Sequence, residues 1–119
     1  MKKLLSTTVA ALIVVLATAP AHAYYYSYFQ WSRLDDGARA IYAAGAFDTM
    51  ISFQMAMNET GAAQHYSNCT INLKVDSRQL SEGLMAYGMT APELDKSSSL
   101  WVMHAIGYYL AAMCGMPPK

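Results

Sequence analysis

The sequence is poor in charge, histidine and cysteine. Only 13% of its 119 residues are charged, and eight basic residues balance eight acidic ones. No extended basic run occurs, so the chain lacks the electrostatic footprint of a nucleic-acid-binding protein. It also has no glycine-rich phosphate loop, and its three histidines show no spacing typical of a catalytic triad. We therefore expect no enzymatic activity, no nucleic-acid partner and no cofactor.

A long run of mostly apolar residues lies near the N-terminus. There an apolar run, residues 4–16, follows two lysines and precedes the small-residue cleavage pattern that ends at Ala23. The run is shorter than the ~20 residues of a membrane span. This pattern is typical of a bacterial secretory signal peptide. We expect cleavage of residues 1–23 and a single domain, residues 24–119, in the periplasm or outside the cell.

Only two cysteines are present, Cys69 and Cys114. Because disulfides persist in oxidising compartments, an even cysteine count in an exported chain predicts one disulfide between them. Closing so long a loop stabilises a small domain by roughly 4 kcal/mol in the chain-entropy model.

The first predicted helix runs from about Arg33 to Met57, with Ser32 as its N-cap. A stripe at helical spacing predicts its buried face. We expect Gly45 to let another helix approach closely. Asp48 falls in the same arc, so we expect it to be buried and hydrogen-bonded. The members of the stripe are Leu34, Ala38, Ile41, Gly45, Thr49 and Phe53.

Two more helices follow a polar stretch, residues 58–75, that we interpret as a loop. Asp76 and Gln79 form a capping box at the start of the second helix, and Gly88 is its expected end. The last helix spans about residues 98–114 and is nearly free of charge, which predicts burial on several sides and not a membrane span. The fold class is therefore all-α, a small bundle of three to four helices tied by one disulfide.

Methionine and histidine near the C-terminus raise the question of a metal site. Thioether and imidazole groups suit Cu(I), and Met103, His104, Met113 and Met116 lie close together in sequence. Methionine at helical spacing nevertheless fills cores more often than it binds metals, so we expect no metal site. His104 is interpreted as a hydrogen-bonded core histidine, with a pH-sensing group as the alternative.

Aromatic residues are abundant directly after the expected cleavage site. A small domain cannot bury all of its tyrosine, tryptophan and methionine, and these residue types are enriched at interfaces. We therefore expect a protein partner, a homodimer, or both. The candidate interface residues are Tyr24, Tyr25, Tyr26, Tyr28, Phe29 and Trp31.

An ordered set of residues covers the chain from Leu34 to Cys114. It comprises the motif Tyr42-x-x-Gly45-x-x-Asp48, then Cys69, Val75-x4-Leu80, Tyr87 and Pro92, and a last helix ending in Cys114. This order resembles the type VI secretion immunity proteins of the Rap/Tai group. The chain departs from the family's pattern at Thr70, where members often have proline, and in its tyrosine-rich start.

The resemblance implies a helical fold with a cysteine pair. It also implies a periplasmic protein, often a homodimer, that binds and blocks an incoming cell-wall amidase effector. No effector-contacting residue can be carried over. The alternatives are an acid-stress chaperone similar to the Hde type, which is also small, helical, exported and tied by one disulfide, and an orphan structural or interaction domain.

Overall fold

All regular structure is helical in the computed structural model, which describes residues 25–91 and 94–119. This confirms the all-α prediction, with more helices than the three to four expected. The predicted signal peptide, residues 1–23, lies outside the described residues. The helices are α1 (Tyr28–Trp31), α2 (Asp36–Ala56), α3 (Thr60–Asn72), α4 (Ser77–Thr90) and α5 (Trp101–Cys114).

The start of α2 differs from the prediction because α1 occupies the chain just before it. Ser27 caps α1 in a capping box with Gln30, so the tyrosine-rich segment is partly helical. The N-cap of α2 is then Asp35, whose Oδ1 accepts the backbone N–H of Ala38 at 2.8 Å. The predicted N-cap, Ser32, is instead the C-cap of α1.

The predicted polar loop, residues 58–75, contains the whole of α3. Its ends turn sharply, because Asn58 and Lys74 adopt positive φ angles of 60° and 54°. α3 begins without a side-chain cap and is rich in Ser, Thr and Asn, which have low helix propensity. Ala63 and Tyr66 are both buried. Their tertiary packing stabilises a helix that the local sequence does not predict.

The start of α4 follows the prediction, and its end does not. Asp76 and Gln79 form the expected capping box. Gly88 is not the C-terminal residue, because α4 continues to Thr90 and Gly88 is buried within it. A Cβ at Gly88 would lie 2.7 Å from Cδ2 of Tyr28 and 2.8 Å from Cη2 of Trp101. This glycine therefore serves close packing and not helix termination.

Helices α2 and α5 each pack against the other three longer helices and form the centre of the bundle. The buried residues of α2 are all alanines, and their small side chains let neighbouring helices approach the axis of α2. The alanines are Ala40, Ala43 and Ala46. The largest fully buried side chains are Trp31, Val102, Leu84, Trp101, Ile106 and Leu110.

Three aromatic rings close one end of the core, and we call Tyr28, Trp31 and Trp101 the aromatic cluster. The ring centroids of Tyr28 and Trp101 are 4.7 Å apart, and those of Trp31 and Trp101 are 6.0 Å apart. The Trp31 indole donates to the carbonyl of Arg39 at 3.3 Å, and the Tyr28 hydroxyl donates to the carbonyl of Met85 at 3.2 Å. The cluster thus joins α1 to α2, α4 and α5.

The predicted disulfide is confirmed. It joins Cys69 to Cys114, with their Cα atoms 5.9 Å apart. Cys69 lies within α3 and not in a loop, and Cys114 is the last residue of α5. The bond therefore clamps two helices at the end of α5 that is opposite to Trp101.

Candidate protein-binding surfaces

The stripe that the sequence pattern predicted to be buried is half-buried at Leu34 and Ala38 and exposed at its other four positions. Ile41 is 76% exposed and Phe53 is 64% exposed. Gly45 and Thr49, which lie between them, are also exposed. We call this row, Ile41, Gly45, Thr49 and Phe53, the α2 face.

The prediction failed because α2 is apolar on both sides. Its buried side is built from alanine, together with half-buried Phe47, Met50 and Ile51. Small residues allow closer packing of helices than the isoleucine and phenylalanine of the other side. A Cβ at Gly45 would meet nothing within 4 Å, so none of the described helices approaches there, contrary to expectation.

Asp48 is exposed and not buried. It makes no hydrogen bond or ion pair to any residue between 25 and 119 that the structure describes. Our prediction of a buried, tethered carboxylate is therefore wrong. Asp48 lies on the same side of α2 as the exposed Ile41, so the Asp48 carboxylate remains solvated. It lines a small cleft of about 110 Å³ with Asp76, whose carboxylate already caps α4.

An apolar groove of about 540 Å³ runs beside the α2 face, and we call it the α2 groove. Tyr25 is 66% exposed on one wall, and Leu100 is 45% exposed on another. None of the described residues that line the groove is charged. Its lining residues are Tyr25, Ile41, Tyr42, Gly45, Ala46, Thr49, Leu100 and Met103.

Tyr42 fixes the N-terminal segment that forms one wall of the α2 groove. Its hydroxyl accepts the backbone N–H of Tyr26 at 3.3 Å, and the two rings meet edge to face with centroids 5.1 Å apart. Tyr25, the next residue toward the N-terminus, is thereby held beside α2. The motif residue Tyr42 has a structural role here.

A second groove, of about 270 Å³, lies where α3 and α5 meet, and we call it the α3–α5 groove. Tyr66 forms its floor, and burial raises the pKa of the Tyr66 hydroxyl. Tyr108 and Met116 stand at its edge, 56% and 76% exposed. His104, Gly107 and Ala111 complete the lining.

The α3–α5 groove is held by a covalent bond and a hydrogen bond. The disulfide joins α3 to the end of α5. One turn earlier in α3, Nε2 of His65 lies 2.9 Å from the carbonyl oxygen of Gly115. Gly115 adopts a φ of 77°, a left-handed conformation that suits glycine. The segment carrying Met116 is thus tied to α3.

The predicted interface residues are divided between core and surface. Trp31 is completely buried and Tyr28 is nearly so, so neither can contact a partner from its place in the aromatic cluster. Tyr26 is half-buried, whereas Tyr25 and Phe29 are exposed. Tyr24 lies outside the described residues. The described part of this stretch therefore supplies two accessible aromatic side chains, two core ones and one that is half-buried.

His104 is exposed, and the prediction of a core histidine is wrong. It shares an exposed surface of α5 with Tyr108 and Ala112, whereas the helix is buried on its other sides. These three positions are spaced four residues apart, which places them on one face of the helix and could have indicated a shared exposed face. Within residues 25–91 and 94–119, no three histidine, cysteine or acidic side chains are placed to hold a metal ion.

The chain matches no protein-family model, no curated protein and no solved structure. The resemblance to the Rap/Tai group therefore depends on the order of sequence motifs alone. Among the helices that the structure describes, none combines the length and hydropathy needed to cross a membrane. The disulfide is compatible with an oxidising compartment, such as the periplasm.

Proposed function

We propose that this chain is a protein-binding domain that neutralises a partner by occlusion, in the manner of type VI secretion immunity proteins. It acts in the periplasm or outside the cell, after cleavage of the signal peptide following Ala23. Its partner is a cell-wall amidase delivered by a competing cell, whose substrate cleft it covers.

The observation that carries the proposal is the α3–α5 groove. Tyr108 and Met116 are exposed there at its edge, and both residue types are enriched at protein interfaces. Aromatic anchors that enter a partner's pocket supply much of the binding energy of such complexes. The side chain of Tyr108 is therefore the proposed anchor.

The framework of this groove supports an inhibitor because it is preorganised. The disulfide and the contact between His65 and Gly115 fix α3, α5 and the C-terminal segment before any partner arrives. Less conformational freedom is then lost on binding, which favours tight complexes. A rigid surface is also what blocking an enzyme requires, since the blocked cleft must not reopen.

The sequence supports the choice of partner class. The order of Tyr42, Gly45 and Asp48, followed by the two cysteines, resembles the Rap/Tai pattern. The confirmed disulfide between Cys69 and Cys114 is the cysteine pair that the resemblance implies. No observation on the described residues favours the chaperone alternative in the same way.

The proposal is tested with the amidase encoded beside this chain's gene. Purified protein is titrated into a peptidoglycan-cleavage assay, and we expect stoichiometric inhibition. Because Tyr108 is the proposed anchor, Tyr108→Ala should weaken inhibition at least about 30-fold, as expected for a binding hot spot. Met89→Ala, also at an exposed position but on α4, is the matched control and should inhibit normally.

Two results would contradict the proposal. One is an adjacent gene that encodes no peptidoglycan-cleaving enzyme, or an amidase that this protein leaves fully active. The other is inhibition that Tyr108→Ala and Met89→Ala reduce equally, because the α3–α5 groove would then not be the contact. Suppression of client aggregation at acid pH without amidase inhibition would instead indicate the chaperone class.

A further inference from the structure

We propose that the α2 groove is a ligand site that binds one linear hydrocarbon chain, the acyl chain of a free single-chain lipid. The chain lies along α2 between the walls formed by Tyr25 and Leu100, and its polar head group stays in water. Because this groove is separate from the α3–α5 groove, the inference does not depend on the function proposed above.

The size and direction of the α2 groove suit a linear small molecule. Its volume of about 540 Å³ falls within the ~300–1,000 Å³ typical of ligand pockets. Ile41, Gly45 and Thr49 line it and follow one another by four positions, so the groove extends about 12 Å along the axis of α2. That length accommodates roughly ten carbon atoms of an extended chain.

The lining of the α2 groove offers hydrocarbon contacts. Leu100 and Met103 face Ile41 and Ala46 across it, and none of the described lining residues could pair with a carboxylate or a phosphate. Moving such a charged group into apolar surroundings without a partner is costly. The part of the ligand that enters the groove is therefore hydrocarbon.

The hydroxyl groups of the lining do not favour a peptide or a sugar. Thr49 Oγ1 donates to the carbonyl of Gly45 at 2.8 Å, and the Tyr42 hydroxyl accepts the backbone N–H of Tyr26 at 3.3 Å. Two of the three hydroxyl groups in the lining thus already make hydrogen bonds within the chain. A peptide brings an N–H and a carbonyl at nearly every residue, and each costs free energy when it is buried without a partner. A hydrocarbon chain has no such groups.

The α2 groove is formed before a ligand arrives. Tyr42 holds the segment that carries Tyr25 beside α2. On the opposite wall, Leu100 directly precedes Trp101, which is fixed by burial in the aromatic cluster. At the floor, the missing side chain of Gly45 leaves open space. Binding to such a preformed site costs little conformational entropy.

The first test measures affinity for straight-chain alcohols of increasing length, which carry the hydrocarbon chain without a charged head group. Binding is followed by displacement of the uncharged fluorescent probe N-phenylnaphthylamine. We expect each added methylene group to tighten binding about two- to fourfold, because it is removed from water. The gain should stop near about ten carbons, where the chain becomes as long as the groove.

The second test fills the α2 groove from its floor. Gly45→Leu should weaken alcohol binding at least about tenfold, because the new side chain takes the place of two or more methylene groups of the ligand. The open space around Gly45 accepts leucine without a clash in the fold. Gly107→Leu is the matched control, since it makes the same change at an open glycine that lines the α3–α5 groove. It should bind alcohols normally.

Three results would overturn the proposal. The first is an absence of displacement by any alcohol, or affinity that keeps rising well beyond about ten carbons, because the groove would then not determine the length of the ligand. The second is wild-type affinity in Gly45→Leu, or equal weakening by Gly45→Leu and Gly107→Leu. The third is co-sedimentation of the protein with phosphatidylcholine vesicles, which would assign the α2 groove to a membrane surface and not to a free lipid.

Discussion

Gly88 and Gly45 lie in two apolar regions of the molecule that are built alike and used differently. Both are helical glycines beside large side chains. At Gly88 the space of the missing side chain is filled by Tyr28 and Trp101 of the same chain. At Gly45 that space is empty, and Ile41 and Phe53 beside it are exposed. The first region is closed by side chains of the same chain, and the second is open in the part of the chain that the structure describes.

The largest expected effect contrasts a large side chain from each region. Trp31→Ala should lower the free energy of unfolding by about 3–5 kcal/mol, because it empties a fully buried site. It also leaves the carbonyl of Arg39 without the indole donor. Phe53→Ala should change stability by no more than about 0.5 kcal/mol. Urea denaturation measures both, and equal losses would refute the contrast.

The disulfide provides the second test, since it holds the other end of α5. Cys69→Ser with Cys114→Ser opens a loop spanning 45 residues, which should cost about 4 kcal/mol. The aromatic cluster lies at Trp101, where α5 begins, so the tryptophan fluorescence of the folded variant should match that of wild type. A red-shifted native spectrum would show that the closed region depends on the disulfide as well as on packing.

The two glycines themselves should respond with opposite signs. Gly88→Ala should destabilise the protein by about 1–3 kcal/mol, because the new methyl group overlaps Tyr28 and Trp101. Gly45→Ala should stabilise the single chain by about 0.5–1 kcal/mol, because alanine favours the helix and meets no neighbour. Thermal denaturation of both variants checks this. Destabilisation by Gly45→Ala would mean that the open region is not open.

The parts of the fold that the sequence predicted correctly are those marked by local sequence signals. The capping box of Asp76 and Gln79 located the start of α4, and the glycine and prolines that follow Cys114 mark the end of α5. Both signals involve residues close together in the chain. Cysteine count and export predicted the disulfide because only one pairing was available.

The failures concern features that are decided by tertiary contacts. α3 has weak helix formers and no side-chain cap, so only packing against α2 and α5 reveals it. Periodicity found a helix at α2 but could not choose between its alanine side and the side of Ile41 and Phe53, since both are apolar. The same ambiguity affected the prediction of surfaces, because four residues that were predicted to be core form the exposed α2 face.

The smallest effect concerns Asp48, the ionisable residue beside the α2 face. It is exposed and makes no hydrogen bond or ion pair to any described residue, so Asp48→Ala should change the free energy of unfolding by no more than about 0.5 kcal/mol. Asp76 lines the same cleft, but its carboxylate caps α4, so Asp76→Ala should lower the free energy of unfolding by about 0.5–2 kcal/mol. Urea denaturation of both variants measures the difference. Equal losses for the two variants would show that the Asp48 carboxylate also has a structural partner.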